Sequence, residues 1–112
     1  MVKRVLWYIF KNFRLMKILY FHADWCQPCK AMEPIVKELL KKYPKVELEK
    51  VDVDKHQAFT EKWEVMSIPT FIFIDGKEVA REVGSVSKEK LEKHLTEKML
   101  PHKDLIDIIG NR

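Results

Sequence analysis

Lys17-Ile18-Leu19-Tyr20-Phe21-His22-Ala23-Asp24-Trp25-Cys26-Gln27-Pro28-Cys29-Lys30 joins two stretches of different hydrophobic period, and both cysteines of the chain sit at the junction. Lys17 to His22 contains the continuous apolar run Ile18 to Phe21, the pattern of a strand buried on both faces, as in a parallel sheet. From about Cys26 to Lys42 the spacing changes, and Met32, Ile35, Val36, Leu39 and Leu40 form the inner face of a helix. Pro34 lies inside that helix and predicts a kink. A strand that passes straight into a helix, followed by more of the same alternation, predicts a mixed-sheet α/β domain.

Downstream, Val46 to Val53 reads as a second strand. Asp54, with Gln57 three residues on, reads as the N-cap of a short helix bearing Phe59 and Trp63. Thr70 to Ile74 is a third apolar strand, and Asp75-Gly76 predicts a two-residue hairpin turn into an antiparallel strand, Glu78 to Val83. Ser87 is placed to cap a last helix with Leu91, Leu95 and Met99 inside and Lys88/Glu92, Glu89/Lys93 and Lys93/Glu97 as solvated pairs outside. Upstream, Val2, Val5, Leu6, Ile9, Phe10 and Phe13 recur at helical spacing and predict a short first helix, although Arg4 to Phe10 also fits an edge strand.

The chain has 112 residues, 46% of them hydrophobic, enough for one domain with a core and too few for two. Charged residues make up 34% with a net charge of only +4, and no arginine cluster stands out, so nucleic acid is not an expected partner. Lys11 and Arg14 follow the apolar run Val5 to Phe10, with no small-residue cleavage site after it and too little length for a bilayer, so neither a cleaved signal nor a membrane anchor is expected. The expected setting is a reducing one, the cytoplasm, where a close cysteine pair is catalytic or metal-binding.

Two intervening residues at the mouth of a helix let both sulfurs reach bonding distance while the first, Cys26, stays exposed to a partner. Backbone N–H groups and the helix dipole favour a thiolate there, so the Cys26 thiol should ionise below the free value of about 8.5. Cys29, one turn deeper, would resolve a mixed disulfide by attacking Cys26, with Pro28 restricting the loop between them. The alternative reading of C-x-x-C is half of a zinc site, which needs two more ligands. Only His22 lies near in sequence, while His56, His94 and His102 lack ligand spacing.

With these residues in place, the chain resembles the thioredoxin family along most of its length. Phe21 to Lys30 resembles the passage into that family's active site, with Trp25 and Lys30 matching as well as the cysteines, and Pro34 matches its helix-kinking proline. Ser67-Ile68-Pro69-Thr70 resembles the loop whose proline is cis and faces the dithiol, Phe73 to Val83 the terminal hairpin, and Val83-Gly84 the turn toward the last helix. The resemblance implies a thioredoxin fold, a central mixed β-sheet flanked by helices, over residues 1–112, with 1–15 a variable N-terminal element and 103–112 a C-terminal extension. It implies reduction of protein disulfides by Cys26 and Cys29, a recognition surface of Trp25, Ile68, Pro69 and Gly84, no cofactor or metal, and electrons from a thioredoxin-reductase-type donor.

Three departures accompany the resemblance. Gln27 replaces the family's usual glycine, and no histidine precedes Cys29 as in many oxidising members. Tyr20 stands where the family carries a buried aspartate that handles the proton of the deeper cysteine, although Lys50 matches the neighbouring lysine. A phenol with a pKa near 10 is no base at neutral pH, which leaves water or His22. The segment before the first strand is short, and Leu105, Ile106, Ile108 and Ile109 extend beyond the family's usual end, available to pack on the body or on a second chain. The competing readings are a glutaredoxin-like reductase, a disulfide oxidase or isomerase, an interaction module without turnover, and the metal site.

Overall fold

The computed structural model describes residues 16–99, so the first helix expected within residues 2–13 and the tail 103–112 lie outside the described residues. In chain order the elements are β1 (Met16–His22), α1 (Gln27–Lys42), β2 (Glu47–Asp52), α2 (Gln57–Lys62), β3 (Thr70–Asp75), β4 (Glu78–Val83) and α3 (Lys88–Met99). The strands form one sheet in the order β2-β1-β3-β4. β1 runs parallel to β2 and antiparallel to β3, and β4 returns antiparallel to β3. This is the mixed sheet flanked by helices that the resemblance implies.

The apolar run of β1 divides by the two-residue period of a strand. Ile18 and Tyr20 face the same side as Phe71 and Phe73 of β3, where Met32, Val36 and Leu39 of α1 and Leu91 and Leu95 of α3 close over them. Leu19 and Phe21 face the other side, with Ile72 and Val51, and are covered by Phe59 and Trp63 from α2 and the residue that ends it. A continuous apolar strand therefore serves two cores, each fully buried aliphatic or aromatic side chain contributing about 1.5–3 kcal/mol. α1 runs unbroken through Pro34 because the ring lies on the exposed face, where the missing N–H costs one bond to Lys30 and no packing.

Three local expectations need correction. Asp54 does not cap α2: the cap position is His56, with no side-chain bond to the helix. Instead Asp52 accepts from the N–H groups of Asp54 (2.9 Å) and Lys55 (3.4 Å), an Asx turn, which frees the Asp54 carboxylate for another partner. The hairpin turn falls one residue later than expected: Asp75 stays in β3 and donates its N–H to the Lys77 carbonyl at 2.9 Å around Gly76, whose φ of +81° suits glycine. The register of the β3–β4 pair also shifts between Phe73, opposite Ala80, and Ile74, opposite Glu78. Charges of α3 that read as pairs along the helix reach across to α1 instead: Lys88 pairs with Glu38 at 3.4 Å, and Glu92 binds Lys42 and accepts from the Tyr43 hydroxyl at 2.6 Å. Ser87 does cap α3, its hydroxyl accepting from the Lys90 N–H at 3.2 Å.

Burial, followed by the bond to Glu92, pushes the Tyr43 phenol up to about 12. The folded state thus holds this proton more tightly than the unfolded chain, whose phenol titrates near 10. Its contribution is complete below pH about 10 and is lost as pH rises through about 12. The urea midpoint should fall between pH 9 and 11.5, and Tyr43→Phe should fall by less over the same interval; equal falls in the two proteins would remove Tyr43 from the account.

Candidate active site

β1 ends at His22, and the turn Ala23-Asp24-Trp25 delivers Cys26 to the N-cap of α1, its N–H donating to the Ala23 carbonyl at 3.2 Å. Pro28 occupies the first turn, where a helix has no use for its N–H. Cys26 and Cys29 are joined in a disulfide with their Cα atoms 5.2 Å apart. The Cys29 N–H donates to Cys26 Sγ at 3.2 Å, and no acidic side chain stands in the first turn. A thiolate at Cys26 would receive this N–H and the positive end of the helix, both of which favour ionisation.

The expected exposure of Cys26 is corrected: in the disulfide form it is 3% exposed and Cys29 2%. Cys26 packs with Ala23 and Cys29 under Val53 and Ile68. The two sulfurs thus differ in surroundings and hardly at all in exposure. One receives the helix N–H; the other borders a polar cavity described below.

The Ile68–Pro69 bond is cis. Pro69 is itself buried, and its carbonyl accepts the Gly84 N–H at 2.7 Å, so the proline shapes the surface more than it forms it. Gly84 has φ +92°, a conformation that favours glycine even though a Cβ there would meet nothing within 4 Å. Trp25 is 65% exposed and its indole N–H donates to Asp54 at 2.7 Å, which accounts for the carboxylate missing from the α2 cap. Trp25, Val53, Thr60, Val65 and Ile68 wall an open cleft of about 380 Å³, with Met66, 93% exposed, at its rim.

The wall between α2 and Pro69 is held from the hairpin. Glu64, at φ +55°, follows the end of α2, and Arg81 of β4 donates to the carbonyls of Trp63 (2.9 Å) and Glu64 (3.3 Å) while pairing with Glu78. Thr70 donates to the Ser67 carbonyl at 2.7 Å. Arg81, and the bond between Asp54 and Trp25, escaped the sequence reading because each joins partners 17 or more residues apart.

A second cavity, about 360 Å³, is walled by His22, Asp24, Cys29, Lys30, Glu33 and Lys50, none of which lines the cleft beside Trp25. The structure therefore brings His22 and Lys50 to Cys29 and adds Glu33. Lys50 Nζ sits 3.1 and 3.2 Å from the two Glu33 carboxylate oxygens and 6.0 Å from the centre of the Tyr20 ring. Tyr20, fully buried, donates its hydroxyl to the Cys29 carbonyl at 2.8 Å. Burial, and then the neighbouring Glu33 charge, pushes the Tyr20 phenol above its ordinary range, so it keeps its proton at neutral pH. Glu33 was detectable: four residues after Cys29 on a helix is the same face one turn on.

His94 lies elsewhere, 2.6 Å from Glu82 and against the Phe73 ring, and among the described residues no group of three or more His, Cys, Asp or Glu side chains is arranged to hold a metal ion. No described helix is long and apolar enough to cross a membrane.

A family model described as Thioredoxin matches residues 10–97. Thioredoxin H-type 1 of Nicotiana tabacum is 42% identical over 85 residues, which cover 75% of this chain and 67% of the tobacco protein. A thioredoxin of Staphylococcus epidermidis is 44% identical over 86 residues, covering 71% and 83% of the two chains. The chain spans about two thirds of the length of the tobacco protein. Among solved structures, Fasciola hepatica thioredoxin superposes with a TM-score of 0.70 at 38% identity, covering 87% of this chain and 93% of its own. With a helix-capping Cys26–Cys29 disulfide beside a cis-proline loop, the chain belongs to the thioredoxin family and is a thiol–disulfide oxidoreductase.

Proposed function

We propose that this chain reduces disulfide bonds in other proteins, with Cys26 as nucleophile and Cys29 as resolving thiol. The observation that carries this reading is the Cys29 N–H donated to Cys26 Sγ at the start of α1. In the reduced protein the Cys26 thiolate attacks one substrate sulfur, the substrate S–S bond breaks, and the second substrate sulfur leaves as a thiolate that takes a proton from water. Cys29 then attacks Cys26 Sγ, loses its proton, and releases the first substrate sulfur as a thiol. Two electrons pass from the dithiol to the substrate, and a separate reductase of the thioredoxin-reductase class returns them. No cofactor enters this cycle, and its setting is the cytoplasm.

Substrate recognition falls to the exposed Trp25, to Ile68 and to the backbone around Pro69 and Gly84. An extended segment lying across them would place its disulfide over Cys26 and an apolar side chain in the cleft beside Trp25. Lys50 and His22 belong to the proton side of the site. The test is insulin reduction driven by NADPH and a thioredoxin reductase. Turnover through the reductase is the expected result, and activity with glutathione alone, or none with either donor, would overturn the reading. Trp25→Ala should lower kcat/KM for insulin about tenfold, mostly through KM, as expected for a lost aromatic anchor. Asp54→Ala should act in the same direction more weakly, because it releases the indole without removing it; an unchanged KM in Trp25→Ala would move the contact surface elsewhere.

A further inference from the structure

We propose that Glu33, held in place by Lys50, takes up the proton that Cys29 releases when it resolves the mixed disulfide. The inference rests on the dithiol cycle given above. Cys29 is 2% exposed, so its proton does not leave directly into bulk water. Its route is the polar cavity that Cys29 helps to wall.

The groups that face Cys29 in that region come from four segments: Tyr20 and His22 from β1, Asp24 from the following turn, Lys30 and Glu33 from α1, and Lys50 from β2. Lys30 and Lys50 are cations and accept nothing. Tyr20 is already committed as a donor, and to the Cys29 carbonyl at 2.8 Å, not to its sulfur. Asp24 is exposed outside the helix, and the His22 ring leans on Tyr20 with centroids 5.3 Å apart.

Glu33 differs from these acceptors in being fixed. It lies on the helix of Cys29, four residues on, so both side chains point to one face. Lys50 reaches both of its oxygens, at 3.1 and 3.2 Å, and the carboxylate is only one-third exposed. A cavity of about 360 Å³ lined by charged groups has room and partners for bridging water. The step balances: Cys29 Sγ–H gives its proton through water to the Glu33 carboxylate, the Cys29–Cys26 S–S bond forms, the bond from Cys26 to the substrate sulfur breaks, and that sulfur leaves with the electron pair. Glu33 then returns its proton to solvent. It acts through water and through Lys50, and is a positioning residue for the proton.

The test mixes the reduced full-length protein with 5,5′-dithiobis(2-nitrobenzoate) in a stopped-flow instrument. The first equivalent of thionitrobenzoate reports attack by Cys26, and the second, first-order phase reports resolution by Cys29, without any protein substrate. In the wild type the second phase should slow as pH is lowered below neutral. Glu33→Gln should slow that phase about tenfold or more at pH 7 and abolish the acid limb, a loss within reach of general base catalysis. The first phase is the internal reference. Glu33→Asp should keep the limb at a lower rate, and Lys50→Met should shift it. A limb that survives in Glu33→Gln and disappears in His22→Ala or Asp24→Asn would overturn the assignment. So would a second phase with the same rate and profile in Glu33→Gln and wild type. Failure of the wild type to reduce insulin would strike the proposed function instead, since the reagent requires only the two thiols.

Discussion

Cys26→Ser is expected to reduce insulin no faster than the added thiol alone, while Cys29→Ser should stop after one attack and accumulate as a mixed disulfide with its substrate. A serine hydroxyl does not ionise near neutral pH, so the first variant has no nucleophile at the helix N-terminus, and Cys29, which borders the polar cavity, lies in the wrong place to replace it. In the second variant the thiolate remains in place with the residue-29 N–H still directed at it, so its first reaction proceeds at close to the wild-type rate. Nothing then displaces the substrate. The effect is large because the two sulfurs act in sequence on one bond. Mass spectrometry of the arrested species should show one substrate chain on Cys26. The asymmetry comes from hydrogen bonding, since the two residues are 3% and 2% exposed in the disulfide form. Limited alkylation of the reduced wild type that labels Cys29 before Cys26 would reverse the two roles.

The strands and helices were legible because each carries its own period. Ile18 to Phe21 reads as a doubly buried strand, and does serve two cores, because every second residue turns to the opposite face. Met32, Val36 and Leu39 read as a helix face because packing follows that spacing. Errors arose where a side chain had two local uses. Asp54 has the residue type and position of a cap, but an exposed indole 29 residues earlier in the chain took its carboxylate. Glu92 reads as part of a pair along its helix, yet it meets Lys42 and Tyr43 of the segment it packs against. Around the dithiol, the cysteines and the Ile68-Pro69 loop were visible as motifs. Arg81, which ties β4 to the carbonyls that end α2, belongs to no motif and emerges only when the sheet brings its surroundings together, whereas Glu33 belongs to no motif but stands one helical turn after Cys29 and so on its face.

Phe71→Ala is expected to cost about 3–5 kcal/mol of folding stability, a large part of the 5–15 kcal/mol that domains of this size possess. Phe71, the second residue of β3 and two after Pro69, is 1% exposed, and its ring lies flat on Tyr20 with centroids 4.8 Å apart and planes 5° from parallel. Its neighbours across the core are held by backbone: Tyr20 by strand pairing on both sides, Met32 and Val36 by α1. The space left by the ring cannot close, which puts the cost at the upper end for a truncation. At about 4–8 °C for each kcal/mol in a domain of this size, the melting temperature should fall by roughly 12 °C or more. Phe71→Leu, which keeps most of the volume, should cost less than half as much. Met66→Ala, at a side chain 93% exposed, should stay within about 0.5 kcal/mol of wild type. The damage should also reach the chemistry, because Tyr20 is the group that holds the Cys29 carbonyl, and a ring with no stacking partner holds it less firmly. In folded Phe71→Ala at low temperature the resolving phase should slow while the first attack by Cys26 keeps its rate. If both phases keep the wild-type rate, Tyr20 does not transmit packing to the dithiol, and Phe71 acts on stability alone.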